Sequence, residues 1–130
     1  MSRFKVTISS QFEELWRYNI VAICELCAAD GGRIEYKSAE SIVAPVGSQL
    51  KVAPIDYSVD RTIRLESGEG AYLNILIYVV PNTLPQTDDI SKTKPFHLIV
   101  KVESESEVVV NRVFDINQWS GENISLKAEN

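Results

Sequence analysis

The residues of this 130-residue chain that are able to carry chemistry are few and dispersed. The single histidine, His97, sits within the alternating run Pro95-Phe96-His97-Leu98-Ile99-Val100, on its more polar side. A general base needs an orienting partner and a nucleophile or substrate site beside it. No serine or cysteine motif supplies one, so His97 reads as a half-buried strand histidine. Cys24 and Cys27 have C-x-x-C spacing, but redox pairs of that spacing open a helix whose dipole lowers the thiol pKa. These two stand in the middle of an apolar segment. With one distant histidine they also fall short of a tetrahedral zinc set, and they read as free thiols acting as small hydrophobes. The glycines of 30–32 and 68–70 have turn neighbours and match neither a phosphate-binding loop nor a dinucleotide fingerprint. Asn123-Ile124-Ser125 is a glycosylation sequon without a secretory signal beside it. Catalysis is therefore not expected.

Carboxylates form the one non-obvious pattern. If strands run up and down, alternate connections return to the same end of the fold. On that parity the connections at 29–32, 56–60, 81–94 and 116–121 share one end. Asp30, Asp56, Asp60, Asp88, Asp89 and Asp115 lie at or beside it. Asp56, Asp60, Asp88, Asp89 and Asp115 are then candidate ligands for calcium, a hard cation that takes roughly six to eight oxygens. Such an arrangement resembles C2 domains in architecture alone, since their spaced-aspartate loop motifs are not matched. Trp119, in the polar loop Gln118-Trp119-Ser120-Gly121, falls at the same end. There it either plugs the fold or anchors a ligand such as a carbohydrate. The competing explanation for the aspartates is simply that Asp is a turn residue.

These residues depend on elements that are easier to read. Residues 71–80, AYLNILIYVV, lie between Gly70 and Pro81 and are rich in branched and aromatic side chains, the composition of a strand. Alternation sends Leu73, Ile75, Ile77 and Val79 to one face and Tyr72, Leu76, Tyr78 and Val80 to the other. Apolar character on both faces predicts a central strand covered on both sides. Residues 3–9 alternate as a half-exposed strand, and strands are further expected over 33–44, 49–55, 62–66, 95–103, 108–115 and 123–127.

Residues 11–29 admit two readings. Ser10 and Glu13 have capping-box spacing, Phe12, Leu15, Trp16, Ile20, Ile23, Leu26 and Cys27 share one side of a helical wheel, and Gly31 follows as a C-cap. Alternatively, a turn at 11–17 leads into a strand from 18 to 28, a reading favoured by Asn19, which the helix would place inside its apolar stripe. The helix is the preferred reading because it would cover the second apolar face. The expected fold is thus mainly β: one domain over 1–130, an antiparallel two-sheet sandwich of about 7–9 strands, with a helix at 11–29 over one face.

Composition bounds the partners. A net charge of −5 without a basic cluster disfavours nucleic acid, whose phosphates demand grouped Lys and Arg. The chain has neither an apolar stretch long enough to span a bilayer nor a signal-peptide pattern at its start, so a reducing cytoplasm is the expected setting. The function expected is a non-catalytic interaction or structural module without a cofactor. It would work through a partner protein or homo-oligomer, with Tyr72, Tyr78 and Trp119 as contact residues. The alternative is a calcium- or carbohydrate-binding module using the aspartate end. Should 11–29 prove a strand, an oligomer hiding Leu76 and Tyr78 is expected.

Overall fold

The computed structural model describes residues 1–84, 90 and 92–130. Among them the chain forms eight strands and a short 3-10 turn at Leu15–Arg17. The strands are β1 (Ser2–Ser9), β2 (Tyr18–Cys27), β3 (Arg33–Ser41), β4 (Ile63–Gly70), β5 (Tyr72–Pro81), β6 (Phe96–Ser104), β7 (Glu107–Ile116) and β8 (Glu122–Glu129). They make two four-stranded sheets, sheet A in the order β4-β1-β6-β7 and sheet B in the order β3-β2-β5-β8. Every pairing is antiparallel. The expected two-sheet sandwich is the observed one.

Alternation fills the space between the sheets. Leu73, Ile75, Ile77 and Val79 of β5 face inward with essentially no exposure, beside Ile20, Ala22, Cys24 and Leu26 of β2. From sheet A they meet Phe4, Val6 and Ile8 of β1 and Leu98, Val100 and Val102 of β6. At the margin Phe12 stacks on Phe96 with ring centroids 4.4 Å apart, and Tyr18 leans on Phe96 at 4.8 Å. β5 lies between β2 and β8, central as expected, but its second face is not covered within the described residues, where Leu76 is exposed.

The helix expected at 11–29 does not form. Ser10 makes no capping box: its hydroxyl donates to the His97 carbonyl and accepts from the Phe12 amide. A turn at Leu15–Arg17 feeds directly into β2, which pairs along its length with β3 and β5. Two cross-strand ladders outweigh the helical periodicity, because the strand buries the alternate residues Tyr18, Ile20, Ala22, Cys24 and Leu26 completely. The outer face of sheet B is therefore left without the cover that a helix would have provided.

The strand expected at 49–55 is also absent, and residues 42–62 form one long connection from β3 to β4. Buried polar side chains hold it. Asn82, fully buried, donates to the Trp16 carbonyl and to Asn19 Oδ1, at 2.9 and 3.2 Å. Its own carbonyl accepts from the Gly47 and Ser48 amides and the Ser48 hydroxyl. Asn19 donates to the Ala44 carbonyl at 2.7 Å and accepts from the Val43 amide at 2.9 Å. The Arg61 guanidinium closes the base of the connection on the carbonyls of Leu15, Tyr18 and Ser41.

Losing a strand changes the parity of the connections. The turn at 28–32, the junction at Ala71 and the β6–β7 turn lie at one end, near the start of β1. Residues 10–17, 42–62 and 117–121 lie at the other. At that second end Gly121 has φ +68°, and a Cβ there would collide with the Val79 carbonyl oxygen.

Two stability measurements check this frame. Ile77→Ala should cost about 2–5 kcal/mol, from lost transfer energy and the cavity left behind. Asn82→Ala should cost about 1–3 kcal/mol, because the Trp16 carbonyl and Asn19 lose a buried partner. Urea melts read both, and a loss under about 0.5 kcal/mol at Asn82 would show that the connection is held by something else.

Candidate interaction face

The outer face of sheet B is built by register. Reading β3, β2, β5 and β8 in order, one row runs Tyr36, Glu25, Asn74, Lys127, the next Ser38, Ile23, Leu76, Ser125, and the next Glu40, Val21, Tyr78, Asn123. The β-branched and aromatic residues that make these segments strands thus also paint the outer surface. Leu76 is 37% exposed, Tyr36 53% and Ile34 47%. An open depression of ≈ 480 Å³ lies at the middle, floored by Ile23, Asn74 and Leu76 and rimmed by Arg33, Tyr36 and Ser125.

One polar cluster interrupts the apolar field. Glu25 Oε2 pairs with Arg33 Nε at 2.9 Å. Its other oxygen accepts from Asn74 Nδ2 at 3.3 Å and from the Cys27 thiol at 3.4 Å. The Arg33 hydrogen bond, with those from Cys27 and Asn74, holds the Glu25 carboxyl below its ordinary value. Burial and the carboxylate beside it push the Cys27 thiol up. The Tyr72 hydroxyl is raised through its contact with Cys27. The Lys127 ammonium sits 4.2 Å over the Tyr72 ring and the Arg33 guanidinium 5.6 Å over Tyr36. These groups are tied to one another, so the cluster orients side chains and offers no activated nucleophile.

The outer face of sheet A is different. Its rows include Arg64, Thr7, Lys101, Asn111 and Glu66, Lys5, Glu103, Val108. His97 lies there, exposed rather than half-buried, with Nε2 3.0 Å from Asp115 Oδ1.

The contact residues expected from sequence divide. Tyr72 and Tyr78 both stand on the sheet B face. Trp119, 40% exposed, stands apart on the β7–β8 connection, where Asn117 Oδ1 accepts from the amides of Trp119 and Ser120. Tyr36, Glu25, Asn74 and Lys127 complete the face and were not anticipated. Their alternation was visible, but only register places them in one row.

Of the aspartates expected at one end, Asp56, Asp60 and Asp115 do share the end of the fold that holds 42–62 and 117–121, whereas Asp30 lies at the other. Asp30 caps its own turn at the first end, accepting from the Gly32 amide. Asp56 and Asp60 lie at the second end on the approach to β4, and Asp60 accepts from the Thr62 amide at 3.1 Å. Hydrogen bonding to Thr62 keeps the Asp60 carboxyl below its ordinary value. Asp115 lies on β7, the opposite edge of sheet A, about 14 Å away at three strand spacings. Asp88 and Asp89 lie outside the described residues. Among the described residues no three His, Cys, Asp or Glu side chains converge to hold a metal ion.

Strand alternation also decides the cysteines. Cys24 points into the core and Cys27 to the outer face, so they cannot meet, and both are free. Burial pushes the Cys24 thiol up to about 11.

The Glu25 cluster has a pH signature. Its folded-state pKa is depressed, so the stability it contributes is present above the unfolded pKa and is lost as pH falls through the folded value. Glu25→Gln should be less stable than wild type at pH 7, and the gap should close progressively below about pH 4. Urea melts from pH 7 to 3 read this; a gap independent of pH would remove the carboxylate from the account.

No family model and no curated protein matches the sequence. Among solved structures, the fold is similar to the crystal structure of a DUF4425 family protein from Bacteroides ovatus. The TM-score is 0.50 at 11% identity, over 97% of this chain and 94% of that one. At that identity the likeness is one of fold alone.

Proposed function

We propose that this chain is a non-catalytic interaction module that holds a protein partner on the outer face of sheet B. The observation that carries the reading is the contrast between the two outer faces. Sheet A mixes Lys, Arg and Glu, with pairs such as Lys101 and Glu103 at 3.6 Å, with scattered aliphatic residues, Ile99 beside Val113 and Val108 apart from them. Among the described residues its outer rows carry no Phe, Tyr or Trp side chain. Sheet B presents Ile23, Leu76, Val21, Tyr78 and Tyr36 in one contiguous field. Apolar, aromatic fields rimmed by polar residues are what recognition surfaces look like. The alternatives of a calcium or carbohydrate site relied on convergence of Asp56, Asp60, Asp115 and Trp119. Those residues share one end of the fold, but among the described residues no three carboxylates come together there, so the tyrosine face supports the reading better. The net charge of −5 points the same way, toward protein rather than nucleic acid.

A photo-cross-linking residue placed at Ser38, on this face, should capture a protein chain that mass spectrometry identifies. The same probe at Asn111, on sheet A, should capture none. The identified chain, purified, should bind wild type and lose at least about tenfold in affinity for Leu76→Asp, since one buried charge costs that much. Equal capture from both faces, or binding indifferent to Leu76→Asp, would overturn the proposal.

A further inference from the structure

The register of sheet B makes its outer face complementary to itself. Consider a second copy turned half a revolution about an axis in the plane of the interface, parallel to the strands and between β2 and β5. β3 then lies over β8 of the copy, β2 over β5, and each row faces its own reverse. In the central row Ile23 meets Leu76 of the copy and Ser38 meets Ser125. In the next, Tyr36 receives the Lys127 ammonium and Glu25 faces the Asn74 amide. On the other side Val21 meets Tyr78 and Glu40 faces Asn123. At the margin Arg33 stands against Glu129. Arg33 already bridges Glu25 in its own chain, but a guanidinium keeps donors for a second carboxylate.

The geometry points to a second copy of this chain as the occupant of the face, packed sheet on sheet in a two-fold dimer with its axis along the strands. The inference rests on the reading of this face as protein-binding. Charge selects the axis. A two-fold across the strands would lay the Glu25 carboxylate on the apolar Val21 and leave Lys127 facing the neutral Asn123, where the other axis gives Glu25 an amide and Lys127 an aromatic ring. The axis along the strands puts opposite or hydrogen-bonding groups together in every row. Strand twist would set the two sheets at about 30° and ~10 Å apart, so the central rows mesh best. A face of roughly 20 Å by 27 Å buries on the order of 1,000 Å² in total, the lower bound for a specific interface. Dissociation in the micromolar range is therefore expected.

Sedimentation equilibrium of the full chain, from about 1 to 500 μM, should show a monomer–dimer equilibrium with a micromolar constant. Leu76→Asp should be monomeric throughout, while Asn111→Asp, on sheet A, should associate as wild type does; thermal melts confirm that both fold. Asn123→Lys should tighten the dimer several-fold by meeting Glu40 of the copy, and Asn123→Glu should loosen it. In a Glu40→Lys background the order should reverse. Within one chain those positions sit on opposite edges of the sheet, about 14 Å apart, so reversal reports contact between copies. A dimer that tightens with Asn123→Glu would place Asn123 against Lys127 and overturn the proposed axis. A dimer unaffected by Leu76→Asp would overturn the face. A wild-type monomer at 500 μM would overturn the dimer. If the Ser38 probe then captured a different chain, the interaction reading would stand without self-association. If it captured none, both would fall.

Discussion

The pair of buried side-chain amides, Asn19 and Asn82, is the constraint on which the rest of the structure depends. A buried amide without partners costs more than its hydrogen bonds return when made, so both must be satisfied by backbone nearby. Asn19 reaches the 43–44 backbone and Asn82 reaches Trp16, while the backbone of Asn82 holds 47–48. Together they bring the start of β2, the end of β5 and the long β3–β4 connection to one point. Arg61 performs the same service for the far side of that connection. With those carbonyls and amides occupied, residues 42–62 need no sheet of their own. β2 is free to run from Tyr18 as a strand.

That arrangement determines what sheet B shows to solvent. With β2 extended between β3 and β5, no helix is left in the described residues before β3 to lie across the outer face. Leu76 is therefore exposed, with Val21, Ile23 and Tyr78 half-buried beside it. The Glu25 cluster keeps a carboxylate oriented beside the apolar centre of Ile23, Leu76, Val21 and Tyr78 by giving it three donors. Such a group adds direction to a surface whose apolar contacts are otherwise non-directional. The proposed role as an interaction module, and self-association as its form, both draw on this combination.

How much was legible in the sequence differs between neighbouring residues. Alternation over 71–80 announced a central strand with Ile75 and Ile77 inside, and both are fully buried in β5 between two neighbours. Strand periodicity is local, and burying one face is enough to enforce it. The same local signal misled at 11–29, where a helical stripe and a strand can be drawn through the same residues. Only the ladders to β3 and β5 decide between them. At 49–55 an extended-looking run joins no strand ladder, since side-chain hydrogen bonds such as that from Arg17 to the Leu50 carbonyl hold it and the residues beside it.

By itself the sequence determined the class of fold, the inward faces of its strands, and the poverty of catalytic groups. Each of these follows from which residue types occur and from spacing over a few positions. Tertiary structure alone decided which strands are neighbours and in what register. It therefore decided that Tyr36, Glu25, Asn74 and Lys127 share a row and that Asp60 and Asp115 lie at opposite edges. The physical reason is that register between strands distant in sequence is set by summed packing over the whole core. No short stretch of chain carries that sum.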